Sequence, residues 1–232
     1  MLAARGLTDG HGEGPALFEA LDLEVPASSV LGVIGRSGCG KSTLLDALAG
    51  LRRPRRGRVT LAGRDITGAP GHCSLMPQRS LLLPWRDLVG NASLALEVAG
   101  VPKREARARV LPHLEAFGLE GCERLAPHAL SGGMQRRVGL LRAWLHGSPV
   151  LLLDEPFGAL DAITRAELHG WFADLVARVG LAAVLVTHDI DEALTLSNRL
   201  LVFERGAAVR EVAVPVDGVA RAELRRRITA ML

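Results

Sequence analysis

Apolar and polar positions alternate along residues 17–25 (LFEALDLEV), the period of a half-buried strand. Residues 29–35 (SVLGVIG) form a short unbroken apolar run closed by glycine, the pattern of a strand buried on both faces. A Gly/Ser-rich stretch follows, and apolar residues then recur at helical spacing from Lys41 to Leu51. Short strands are predicted at 58–62 and 73–76, separated by Gly/Pro-rich loops. The pattern changes between Pro84 and Ala129. Residues 87–99 and 103–117 both read as helices, joined by Gly100-Val101-Pro102, and Pro112 is placed to kink or split the second. Ser131 is the predicted N-cap of a helix running to His146. Strand and helix then alternate: strand at 149–153, helix at 161–179, strand at 182–187, helix at 189–196, strand at 200–204 and a basic helix at 220–230.

Strands alternating with helices at both ends, around an all-helical block, predict an α/β fold with a parallel sheet and a small inserted helical subdomain. Composition narrows the class. Of the 232 residues, 48% are hydrophobic and 23% charged, ordinary usage for a globular chain and not for a collagenous or disordered one. No apolar run approaches the roughly 18 to 20 residues that span a bilayer, so a role at a membrane needs a spanning partner. Met1 to Gly14 carries no apolar segment of the secretory type. The three cysteines, Cys39, Cys73 and Cys122, are dispersed and odd in number. They make neither a disulfide framework nor a zinc pair, and they point to a reducing cytosol. A net charge of +3 and 3% aromatic residues with no tyrosine give little footing for nucleic acid.

The chemistry begins at Gly35-Arg36-Ser37-Gly38-Cys39-Gly40-Lys41-Ser42, which fits GxxxxGK[ST] between a buried strand and a helix. Glycines let such a loop curl so that its N–H groups face phosphate oxygens, and the following helix adds its positive end. Lys41 is expected to reach the β- and γ-phosphates, and the Ser42 hydroxyl to ligate Mg²⁺. The lysine is notable in a chain with two lysines and 26 arginines, because a compact ammonium fits between phosphates where a planar guanidinium does not. A second constellation is Val150-Leu-Leu-Leu-Asp154-Glu155-Pro156. It puts two carboxylates at the end of a buried strand, the end of a parallel sheet where ligands sit. Asp154 is the expected Mg²⁺ ligand, and Glu155 the base that orients and deprotonates the attacking water.

Together with these, Gln78, Leu130-Ser131-Gly132-Gly133-Met134, Gly158-Ala159-Leu160-Asp161 and Thr187-His188-Asp189 occur in the order found in ABC-transporter ATPase subunits, which this chain resembles from about residue 15 to 205. The resemblance implies a P-loop NTPase core with a mostly parallel sheet, N-terminal antiparallel strands and an inserted helical subdomain. The implied division is 1–84 and 147–232 for the core and 85–146 for the helical part. It implies ATP and Mg²⁺ as cofactors, with ATP cradled by Gly35, Ser37, Gly38, Cys39, Gly40, Lys41, Ser42 and Thr43. It also implies metal contacts from Ser42, Gln78 and Asp154, and catalytic roles for Glu155, Gln78 and His188. Ser131, Gly132, Gly133 and Asp161 would meet the ATP of a second copy in a head-to-tail homodimer. Ser131-Gly132-Gly133 opens a helix with free N–H groups, so it too can receive an anion.

Met134, where the family usually has Gln, resembles the importers of nitrate, sulfonate, taurine and thiamine precursors. The 52 residues between Gln78 and Ser131 suit the compact helical subdomain of an importer and exclude a long coiled-coil insert. Leu81 to Trp85 (LLLPW) lies where the family receives its permease, and an exposed cluster of that kind needs a covering partner. The implied partners are a transmembrane permease and, through it, a periplasmic or lipid-anchored solute-binding protein, with no nucleic acid. The implied location is the cytoplasmic face of the membrane, held peripherally. Two alternatives use the same ATP chemistry: an exporter subunit, and a soluble ATPase acting on nucleic acid or the ribosome through the basic tail Arg221 to Arg227. The family's adenine-stacking aromatic has only His11 and Phe18 as counterparts here, and Phe18 fits the apolar face of its strand. Ser28-Ser29 stands where the family usually has Gly-Glu.

Overall fold

A computed structural model describes residues 1–10, 12, 14–158, 160–204 and 209–232, the side chain of Val179 apart. The chain opens with β1 (Leu2–Gly10), β2 (Ala16–Val25), β3 (Val30–Gly35) and α1 (Lys41–Leu48). Strands β4 (Arg56–Leu61), β5 (Arg64–Asp65) and β6 (Ser74–Met76) follow, and then helices α2 (Leu88–Ala92), α3 (Leu94–Val98), α4 (Lys103–Val110) and α5 (Gly132–Leu145). The last part alternates β7 (Val150–Asp154), α6 (Ala162–Val179), β8 (Ala182–Thr187), α7 (Ile190–Leu196), β9 (Arg199–Phe203), β10 (Val209–Ala213) and α8 (Gly218–Met231).

Two sheets result. An antiparallel one has the order β2-β1-β4-β5, and a larger one the order β10-β9-β3-β8-β7-β6. In the larger sheet β9, β3, β8, β7 and β6 run parallel, and β10 is the antiparallel edge. Every residue of β3, β7 and β8 is buried, as expected for central parallel strands covered on both faces. One core lies between a face of this sheet and the helices, joining Met76, Leu151 and Leu153 to Leu88, Val138 and Leu141. A second joins the other face to α1 and the antiparallel sheet. Each fully buried Leu, Val or Ile contributes about 1.5–3 kcal/mol of transfer free energy. A third, smaller core seats α7 and α8 against β3 and β9. Leu224 and Ile228 of α8 enter it, while Arg225 turns outward to pair with Asp191. The basic tail is therefore the polar face of an amphipathic helix.

The structure departs from the sequence pattern in identifiable places. The residue pattern locates neither strand β1 nor β10, although β1 is among the N-terminal antiparallel strands that the family resemblance implies. The alternation in β2 slips at Ala20, whose φ is 48°, and Phe18, Leu21, Leu23 and Val25 are the buried set. Such a slip is a bulge, and the register to β1 shifts beside it. The helix expected over 87–99 breaks at Ser93 into α2 and α3. The next helix ends at Val110, and a 3₁₀ turn over Leu111–His113 holds Pro112. Ser28 has φ 56°, the left-handed region that a glycine at this position would adopt without strain.

This architecture places the chemistry. The C-terminal ends of β3, β6, β7 and β8 lie at one edge of the larger sheet. Asp87 caps α2 by accepting from Gly90 N (2.7 Å) and takes two bonds from Arg107 (2.9 and 2.7 Å). Arg107 chiefly, through these bonds, holds the Asp87 carboxyl below its usual range against an opposing push from burial. Asn91 is fully buried and bonds Leu83 N, Leu83 O, Arg86 O and Asp87 O. It thereby fixes the 83–87 turn and leaves Trp85 77% exposed.

Candidate functional site

The phosphate loop leaves β3 at Gly35 and enters α1 at Lys41. Its outer arc, Arg36, Ser37 and Gly38, is exposed. Gly38 and Gly40 have φ of 80° and 110°, and a Cβ on Gly40 would lie 2.9 Å from that of Leu17. Both positions therefore require glycine. A Cβ on Gly35 would lie 2.7 Å from Cys39 Sγ, which keeps the loop tightly wound. Lys41 is buried, and its Nζ donates to the carbonyls of Gly35 (2.7 Å) and Arg36 (2.9 Å). A buried ammonium held by neutral carbonyls needs an anion to complete it, and phosphate fits. Thr43 is buried in the first turn of α1.

Beside the loop, Ser42 Oγ donates to Asp154 Oδ2 at 2.8 Å. Burial pushes the Asp154 carboxyl up, and the bond from Ser42 works against that. A hydroxyl and a carboxylate at this spacing are hard oxygen donors of the kind Mg²⁺ takes, with its remaining positions left to water and phosphate. The pair therefore fits the ion.

Glu155 follows with φ 50°. Its N–H donates to Val186 O (2.8 Å), tying it to β8. Its carboxylate accepts from Gln78 Nε2 (3.2 Å) and meets His188 Nδ1 (3.0 Å). Burial pushes this carboxyl up, but the bonds from His188 and Gln78, with the charges of His188 and Arg136, outweigh it and hold the carboxyl below its usual value. Lys41, Ser42, Asp154, Glu155, Gln78 and His188 thus come together from four separate segments.

Ser131, Gly132, Gly133 and Asp161 do not join them. Among the described residues no hydrogen bond or ion pair links these four to the phosphate loop. Ser131 caps α5 by accepting from Met134 N (3.2 Å), and Ser131 and Gly132 are exposed. Asp161 caps α6 by accepting from Thr164 N (3.0 Å). Phe18 is fully buried, edge-on to Phe203 at 6.2 Å, and so belongs to the core. His11 and Ala159 lie outside the described residues. Leu82 packs against the core, whereas Leu81 and Trp85 are exposed.

The sequence pattern missed two residues. Glu192 of α7 is buried and accepts from Thr187 Oγ1, next to His188; an acid among Ile190, Ala193 and Leu194 was the available signal. Arg136 of α5 donates to the Glu155 carbonyl, and no sequence signal marks it.

A protein-family model described as "ABC transporter" matches residues 18–158. The aliphatic sulfonates import ATP-binding protein SsuB 3 of Pseudomonas syringae pv. syringae (strain B728a) is 41% identical over 88% of this chain and 73% of its own length. The formylaminopyrimidine import ATP-binding protein ThiZ of Halalkalibacterium halodurans is 37% identical over 94% of this chain and 86% of its own length. Among solved structures, the dimeric post-hydrolysis state of the ATP-binding cassette MJ0796, bound to ADP and Pi, matches with a TM-score of 0.84 and 26% identity. That match covers 94% of this chain and 100% of the other.

Proposed function

This chain belongs to the ABC transporter family, and on that premise we propose that it is the ATP-hydrolysing subunit of an importer that energises uptake of a small solute through a separate permease. The observation that carries the chemistry is the Glu155 carboxylate held between Gln78 Nε2 and His188 Nδ1, next to the Ser42–Asp154 pair. Lys41 and the loop N–H groups bind the phosphates. Ser42 and Asp154 would hold Mg²⁺, which would offset charge on the phosphate oxygens. Glu155 takes the proton of the attacking water. Gln78 orients that carboxylate. His188, two-thirds exposed and bonded to Glu155 through Nδ1, keeps its other ring nitrogen for the γ-phosphate side.

The Ser131-Gly132-Gly133 cradle, its first two residues exposed and apart from its own loop, serves a second copy of this chain, and the dimeric cassette neighbour supports that arrangement. Asp161 stands beside the same interface. No helix among the described residues is long and apolar enough to cross a membrane. In this reading the subunit is held peripherally, on the cytoplasmic face, by a permease that covers the exposed Leu81 and Trp85. A solute-binding protein delivers the cargo to that permease. The solute is a sulfonate or a thiamine-type pyrimidine precursor, after the relatives named above. The test is uptake by source cells in which this chain is replaced by a Lys41→Ala variant. Loss of labelled sulfonate or formylaminopyrimidine uptake, with the permease still at the membrane, is expected. Undiminished uptake of both overturns the importer assignment for these solutes.

A further inference from the structure

Glu155 carries the reacting carboxylate on a backbone that a non-glycine residue adopts at a cost. A left-handed φ is strained for a residue with a Cβ and persists only where the surroundings over-determine it. Three contacts do so here. The Glu155 N–H donates to Val186 O at 2.8 Å, and the Glu155 carbonyl accepts from Gly158 N at 3.3 Å. The third is the guanidinium of Arg136, whose Nη1 donates to the same carbonyl. The guanidinium is seated against this turn, since a Cβ on Gly158 would lie 3.5 Å from Arg136 Nη1. The first two contacts come from the strand and the turn themselves. Arg136 comes from α5, the helix that Ser131 caps, and is its fifth residue.

We propose that Arg136 is a positioning residue for ATP hydrolysis. Its guanidinium grips the Glu155 carbonyl and so holds the Glu155 carboxylate where Gln78 and His188 meet it. The proposal rests on reading Glu155 as the base. Without the grip, the carbonyl keeps, among the described residues, the Gly158 bond alone, and the Glu155 peptide can rotate out of the left-handed region. The carboxylate then leaves the line set by Gln78 and His188, and a displacement of about 1 Å costs roughly 10²-fold in rate. Among the described residues no hydrogen bond or ion pair joins Arg136 to the phosphate loop, so ATP binding by that loop is spared.

The test uses the full-length chain with Arg136→Met, which keeps the apolar stem and loses the donor, and Arg136→Lys, which keeps a cationic donor. Arg136→Met should lower kcat about 10- to 100-fold with KM and ATP affinity within about twofold. Arg136→Lys should recover most of kcat. Because Arg136 acts through Glu155, adding Arg136→Met to Glu155→Gln should cause no further loss. Two single-variant results overturn the proposal: parental kcat in Arg136→Met while Glu155→Gln is inactive, or a loss that Lys does not rescue and that follows a fall in melting temperature. A full additional loss in the Glu155→Gln background also overturns it. Parental kcat in Glu155→Gln alone overturns instead the reading of Glu155 as base.

Discussion

Ser42 Oγ donates a 2.8 Å hydrogen bond to Asp154 Oδ2 across 112 residues of sequence. The serine stands at the start of a helix and the aspartate at the end of β7, so the fold itself brings two hard oxygen donors together. Ser42→Ala and Asp154→Asn should each raise the Mg²⁺ concentration for half-maximal ATPase activity by about 10- to 100-fold. A Mg²⁺ titration at fixed ATP measures this, and an unchanged midpoint in both variants removes the pair from the metal site.

Cys39 lies within the phosphate loop, its Sγ 3.9 Å from Lys41 Nζ, and is partly accessible. Cys73 is buried, and burial pushes its thiol up to about 11, which keeps it unreactive. A maleimide should therefore abolish ATP binding through Cys39, MgATP should protect, and Cys39→Ser should resist. Mass spectrometry of the labelled chain alongside an ATP-binding assay checks this. Full labelling of Cys39 with ATP affinity retained would contradict the cradle's geometry.

Asp87 caps α2 and pairs with Arg107 beneath the turn that presents Trp85. Asp87→Ala should destabilise the chain by about 1–2 kcal/mol. The Asp87 carboxyl is held below its usual value. Its contribution is therefore fully present above the unfolded pKa of about 3.9 and is lost as pH falls through the folded value. Urea melts of parent and variant should differ by a constant amount from about pH 5 to 8 and converge in acid below about pH 4. A difference that persists unchanged in acid would assign the effect to packing alone.

Much of this molecule is legible in its sequence because its chemistry hangs on buried parallel strands, and such strands announce themselves as short apolar runs. Strands β3, β7 and β8 are of this kind, and the functional loops follow each one directly. Strand β1 is not legible for a physical reason. Ala3, Ala4 and Gly6 are poor strand formers, and Gly6 takes φ 60° where the register to β2 shifts. The β1 pairing is imposed by β2 and β4 on its two sides. Ser93 ends α2 and begins α3 with no proline or glycine to mark the break. The Gln78–Glu155–His188 cluster joins residues whose types and order are readable, but its hydrogen bonds exist only once β6, β7 and β8 are adjacent. Arg136 stayed hidden because its partner is a backbone carbonyl, which leaves no trace in side-chain chemistry.

In the mechanism proposed above, the carboxylate held by Gln78 and His188 performs hydrolysis, separately from binding. The most direct test of that role is Glu155→Gln, assayed for ATP affinity, turnover and molecular mass with ATP by sedimentation. The variant should keep parental ATP affinity, lose turnover by about 10²- to 10⁴-fold and form a stable ATP-bound dimer. Near-parental turnover, or a chain that stays monomeric at saturating ATP, would contradict the mechanism.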